Sequence, residues 1–120
     1  MKELISGDLV IKVEDNEKSV VISWFGKSRE RDPGAVINPY FDEIIDNFDG
    51  AELTIDFLKL EYMNSSTVPS IIKLFKLLDT REIPTRVIYD KNSGWQCASF
   101  KALDTIAQSL NSVTVEGIVQ

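Results

Sequence analysis

Residues 53–78 read LTIDFLKLEYMNSSTVPSIIKLFKLL, and a change of period inside this stretch decides the fold. Leu53, Ile55 and Phe57, with the apolar residues near them, suit a strand in a sheet buried on both faces. Asn64-Ser65-Ser66-Thr67 then sets four small polar residues in a row, followed by Pro69. From Val68 the spacing becomes helical. Val68, Ile71, Ile72, Phe75 and Leu78 form a stripe that Leu74 and Leu77 widen, while Lys73, Lys76 and Asp79 fall opposite. Ser65 or Ser66 is placed to cap this helix by accepting from an unpaired backbone N–H. Pro69 sits in the first turn, where a missing N–H costs nothing. The unit is therefore strand, turn and helix, with two hydroxyls at the positive end of a helix dipole.

Asp56 to Thr67, DFLKLEYMNSST, resembles the D-L-S-x-V-x-x-M-D-S-S-G pattern of STAS domains, the fold of bacterial anti-sigma factor antagonists, without gaps. Asp56, the apolar Phe57 and Leu60, Met63, Ser65 and Ser66 match; Leu58 replaces a serine, Asn64 an aspartate and Thr67 a glycine. Tyr62-Met63-Asn64-Ser65-Ser66 is similar to the Y-x-N-[ST]-S variant of the SiaC-like regulatory phosphoproteins. The resemblance implies a switch phosphorylated at this turn by a cognate serine kinase and reset by a phosphatase. It also implies a regulatory target, of anti-sigma type or, nearer the SiaC-like group, a diguanylate cyclase. Position in the first pattern points to Ser66 as acceptor, and position in the second to Ser65.

At 120 residues the chain fits one domain, residues 1–120, large enough to bury a core without staples. Its formal net charge is −6, it has no histidine, and its acidic residues are scattered. With no basic stripe, nucleic acid and anionic membrane are not expected partners. The single cysteine, Cys97, excludes an internal disulfide and a cysteine metal cluster, and suits a small core position on a helix. MKELISGDLVIKVED lacks the apolar core of a signal peptide and no stretch is long enough to span a bilayer, so the expected location is the cytosol.

Outward from the central stretch, Leu4–Val13 reads as a strand with Gly7-Asp8 as a break or bulge. Asp15–Lys18 makes a turn, and Ser19–Phe25 returns as a second strand. Gly26–Gly34 is polar, an exposed loop or a further hairpin tip, with Lys27, Arg29 and Arg31 as a potential contact patch. Asn38 is placed to cap a helix with Pro39 at its first position; Tyr40, Phe41, Ile44, Ile45 and Phe48 give its stripe, and Gly50 ends it. After the central unit come a short strand at Arg86–Tyr89 and a turn at Asp90–Gly94. A helix capped by Ser93 then runs from Trp95 to about Leu110, and a last strand covers Ser112–Ile118. The order is β-β-α-β-α-β-α-β, an α/β fold with a STAS-like mixed sheet, and strands joined through helices require parallel pairing. It is the STAS order less the usual C-terminal helix.

Chemistry is hard to place. Without histidine there is neither a Ser-His-Asp nor a Cys-His arrangement nor a histidine-bearing metal site. No Gly-rich nucleotide cradle and no calcium loop occurs in the sequence. The expectation is a non-enzymatic protein needing no metal and no cofactor, with Asp56 structural. A phosphoryl group adds roughly −1.5 to −2 charges and three acceptor oxygens. At a helix N-terminus the fold tolerates that charge, whereas a partner docked over the turn meets a desolvated dianion. Ser65 and Ser66 are thus the candidate phosphoacceptors. Tyr62, Met63, Asn64 and Thr67 around them, and Trp95 at the same edge, are the candidate partner contacts. The alternative is a constitutive scaffold or subunit using the same face unphosphorylated.

Overall fold

A computed structural model describes residues 3–120. Three helices and seven strands follow in the order β1 (Leu4–Ser6), β2 (Leu9–Asn16), β3 (Ser19–Ser28), α1 (Gly34–Ile44), β4 (Glu52–Asp56), β5 (Leu60–Met63), α2 (Thr67–Thr80), β6 (Thr85–Asp90), α3 (Gly94–Ala107) and β7 (Val113–Ile118). A single 3₁₀ turn, Ile45–Phe48, continues α1. The sheet runs β1-β2-β3-β4-β6-β7, with β5 paired to β3 off that path. The β1-β2 and β2-β3 pairs are antiparallel, and every pair joined across a helix is parallel. The mixed α/β sheet is therefore as expected, with β7 at an edge, and it carries two strands more than the sequence suggested.

One addition comes from the break offered at Gly7-Asp8, the other from a break in the central stretch, read as continuous. Gly7 adopts φ +58 and Gly7-Asp8 is a hairpin turn between β1 and β2, the break of the two alternatives. The central strand ends at Asp56, whose Oδ1 accepts from the Leu58 N–H at 2.8 Å, and Leu60 N–H closes the turn on the Phe57 carbonyl at 3.0 Å. Beyond it β5 pairs with the far end of β3, at Gly26↔Leu60, Lys27↔Tyr62 and Ser28↔Met63. Accordingly β3 runs to Ser28, three residues past its expected end. Gly26 holds φ +81 at the bulge there, and a side chain on it would run into the Asp8 carbonyl.

Burial also corrects the two-sided sheet. Leu53 and Ile55 are buried while Thr54 and Asp56 are half-exposed, and the same alternation runs through Ile11/Lys12, Ile22/Ser23 and Val87/Arg86. Period-two alternation marks one covered face and one wet face. Because α1 touches α2 and α2 touches α3, the helices make one layer over the covered side. Ile71, Phe75 and Leu78 of α2 are each 0% exposed, so the expected stripe is the buried one. Aromatic rings run through this core: Trp24 to Phe57 at 4.9 Å, Phe57 to Phe100 at 4.8 Å, and Phe100 to Tyr89 at 5.2 Å between centroids.

Three smaller expectations change. The first helix begins at Gly34, so Asn38 and Pro39 lie inside it; Asn38 does not cap but donates from Nδ2 to the Ser70 carbonyl of α2 at 3.2 Å. Its stripe of Tyr40, Phe41, Ile44, Ile45 and Phe48 is buried as read. Cys97 is only half-buried, its Sγ donating to the Lys91 carbonyl at 3.0 Å, because it lies on the side of α3 that faces the preceding turn. Ser93 does cap α3, accepting from Gln96 N–H at 3.4 Å. Among the described residues no helix is long and apolar enough to cross a membrane.

Candidate functional site

β5 leads directly into the Asn64–Thr67 turn, so the end of β3, the turn and the start of α2 form one assembly. Asn64 organises it. Its own N–H donates to the Ser28 carbonyl at 3.0 Å and its Nδ2 donates to the Glu30 carbonyl at 2.8 Å. Its Oδ1 accepts from both Thr67 N–H at 3.1 Å and Thr67 Oγ1 at 2.7 Å. Thr67 Oγ1 also lies 2.7 Å from Ser28 Oγ, and both hydroxyls are buried, at 0% and 2% exposed. A hydroxyl has one proton. Since Thr67 gives its proton to Asn64, Ser28 must donate to Thr67, which fixes the chain Ser28→Thr67→Asn64.

The cap therefore belongs to Asn64, not to the serines. Asparagine reaches an N–H further along the backbone as an Asx turn does, more strongly than a serine hydroxyl, and its NH₂ adds a donor that here holds the Glu30 carbonyl. Ser66 occupies the residue before α2 at φ −70, ψ −19, but its side chain makes no capping bond. Ser65 and Ser66 are both exposed, and neither hydroxyl has a hydrogen-bond partner among the described residues. Of the first-turn donors, Thr67 N–H is taken by Asn64 and Pro69 has none. The N–H groups of Ser66 and Val68 have no acceptor among the described residues and are left to an outside one.

Other candidate residues divide by burial. Tyr62 is 46% exposed and lies with Lys27, Arg29 and Glu61 along a shallow groove of about 370 Å³. Arg29 in that groove is ion-paired with Asp8, so Lys27, Arg29 and Arg31 do not make a uniform basic patch. Met63 is 8% exposed and Thr67 0%, each turned into the core, where it positions the turn rather than meeting a partner. Trp95 is half-buried and packed against the core, at the first turn of α3. Tyr62, Ser65 and Ser66 are thus the exposed members of the set, and Trp95 is half-buried beside Gln96.

That residue, Gln96, is 2% exposed and had no role in the sequence reading. Its Nε2 donates to the Phe57 carbonyl at 2.8 Å and the Leu60 carbonyl at 2.9 Å, while its Oε1 accepts from Asp90 N–H at 2.7 Å. One amide thereby ties α3, the end of β6 and the β4–β5 turn together, immediately upstream of the serines. The signal for it was a glutamine at a helix start, which by itself says nothing of its partners. Ser28 was equally silent, a serine in a polar run.

No protein-family model matches the chain. No curated protein sequence matches it either. Solved structures do. A chain in the crystal structure of the diguanylate cyclase SiaD with its activator SiaC, from Pseudomonas aeruginosa, superposes with a TM-score of 0.68 at 13% identity, covering 98% of this chain and 100% of that one. An anti-sigma factor antagonist from Mycobacterium paratuberculosis superposes with a TM-score of 0.62 at 16% identity, over 92% and 90% of the two chains. An uncharacterised protein of the DUF3478 family from Shewanella loihica, described as having a SpoIIAA-like fold, gives 0.56 at 15% identity over 100% and 92%. The fold is the SpoIIAA-like, STAS-like one.

Proposed function

We propose that this protein is a phosphorylation-controlled binding switch without enzymatic activity, acting in the bacterial cytosol. With the Asn64–Thr67 turn unmodified it binds a regulatory protein; phosphorylation of Ser65 or Ser66 by a cognate serine kinase releases that partner, and a phosphatase resets it. The observation that carries the reading is the pair of exposed hydroxyls, free of internal bonds, on a turn held rigid by Asn64. Tyr62 and Trp95 are the side chains suited to anchor the partner, as aromatic residues that combine large area with few rotors. The structural neighbours support a protein partner, since one is named an anti-sigma factor antagonist and another the activator of a diguanylate cyclase. Targets of those two kinds are the first to try.

A charge left unpaired in a buried interface costs several kcal/mol, and each 1.4 kcal/mol is about tenfold in affinity. Incubation with candidate serine kinases from the same cell and ATP, followed by phosphosite mapping, should place phosphate on Ser65 or Ser66. Ser65→Asp or Ser66→Asp should then reduce partner capture by at least about tenfold while the fold persists. Phosphate found only outside the turn, or undiminished capture by both variants, would leave the constitutive scaffold as the reading.

A further inference from the structure

We propose that the free edge of β7 is a self-association surface, on which a second copy of this chain adds its own β7 antiparallel about a two-fold axis through Val115. β7 is last in the sheet and pairs only with β6, in an unbroken parallel register from Thr85↔Val113 to Asp90↔Ile118. Thr85 N–H donates to the Ser112 carbonyl and Lys91 N–H to the Ile118 carbonyl. In a parallel ladder alternate residues turn their backbone groups to one neighbour. Thr114 and Glu116 therefore face β6, while Val113, Val115 and Gly117 point their N–H and C=O groups away from it. None of these three has a backbone partner on that side among the described residues.

Proteins guard such edges with short strands, bulges, lysine or proline. The opposite edge is guarded, since β1 has three residues. β7 has six, VTVEGI, with no lysine and no proline among them.

The strand is complementary to itself in one register. Centred on Val115, antiparallel pairing sets Val115 against Val115 and Val113 against Gly117 on both sides of the axis. Every outward N–H and C=O of the two strands is then used. On the wet face Thr114 meets Glu116 twice, a hydroxyl opposite a carboxylate that Arg86 already holds at 2.9 Å. Moving the axis to Glu116 opposes two like charges, which is unfavourable. Moving it to Thr114 pushes Gly117 past the end of the partner strand, which starts at Val113. A strand from an unrelated protein would satisfy the same backbone groups without needing this match. Along β3-β4-β6-β7 the edge lies three strands from β3, roughly 14 Å at about 4.8 Å per strand. Association therefore leaves the serine turn open and does not depend on the switch reading.

The test is sedimentation velocity on the full chain across a dilution series. Wild type should be dimeric. Val115→Pro, which removes an outward N–H and spares the β6 ladder, should be monomeric with its secondary structure intact. Thr114→Glu should dimerise about tenfold more weakly and Thr114→Lys about tenfold more tightly, because each change acts at both symmetric contacts with Glu116. The Thr114 variants keep the proposal testable should proline disturb folding. A wild type that stays monomeric at every concentration overturns the proposal and leaves the edge to a strand from another protein. A dimer indifferent to Thr114→Glu and Thr114→Lys overturns the proposed axis.

Discussion

Replacing Asn64 with alanine removes three side-chain hydrogen bonds at once: two accepted from Thr67 and one donated to the Glu30 carbonyl. Thr67 N–H keeps a second acceptor, the backbone carbonyl of residue 64 at 3.1 Å, so the helix start is weakened rather than orphaned. Loss of a cap of this kind costs about 0.5–2 kcal/mol. The Ser28–Thr67 hydroxyl pair is buried and loses the acceptor at the end of its proton chain, which adds about 1–3 kcal/mol for an unsatisfied buried donor. Together Asn64→Ala should cost about 2–4 kcal/mol, a fall of roughly 6–15 °C in thermal midpoint for a domain of this size.

Asn64→Asp separates the two contributions. The carboxylate keeps both acceptor roles and gains about 0.3–1 kcal/mol from the helix N-terminus. It loses the donor to Glu30 and sets negative charge against that carbonyl, so the net loss should be about 1 kcal/mol. Ser65→Ala and Ser66→Ala remove no hydrogen bond and should lie within about 0.5 kcal/mol of wild type. Urea and thermal unfolding of the four variants give the ranking directly. If Asn64→Ala unfolded with wild type, or if either serine variant lost more than it, the assignment of the cap to Asn64 would be wrong.

Phe75→Ala, at a side chain 0% exposed, should cost about 3–5 kcal/mol; a wild-type midpoint would refute the α2 register. Gln96→Leu removes the side-chain partner of Asp90 N–H and of the Leu60 carbonyl, while the Phe57 carbonyl keeps Leu60 N–H at 3.0 Å, and should cost about 2–4 kcal/mol in chemical denaturation. Ser66→Asp should raise stability by up to about 1 kcal/mol, because it sets a carboxylate at the positive end of the α2 dipole, while Ser65→Asp, one residue further out, should leave the unfolding midpoint unchanged.

Legibility in the sequence followed the range of the forces involved. The stripe of α2 and the Ser93 cap are local patterns, and the structure has both. The alternation that makes the sheet one-sided was also present, in Thr54 and Asp56 between Leu53, Ile55 and Phe57, but the apolar run around them masked it. What failed was decided from a distance. The break after Asp56 is closed locally by its own carboxylate, yet it is held by Gln96, 39 residues from Phe57. The start of α1 moved because Asn38 spends its amide on α2, 32 residues on, instead of capping its own helix. At the serine turn the sequence pointed to Ser65 or Ser66 as the cap, and only the positions of Ser28 and Glu30 select Asn64 instead.

That selection has a consequence for how a switch here would work. Everything the turn needs for its own stability is supplied by Asn64, Thr67 and Ser28, so modifying Ser65 or Ser66 breaks no bond of the fold. Nor can the fold absorb the modification. With Thr67 N–H occupied and Pro69 without one, this first turn offers fewer open donors than an ordinary helix start to the three oxygens a phosphoryl group brings. The dianion would stay presented at the exposed serines. Its cost would fall on whatever docks there, and release of a partner needs no rearrangement of the core.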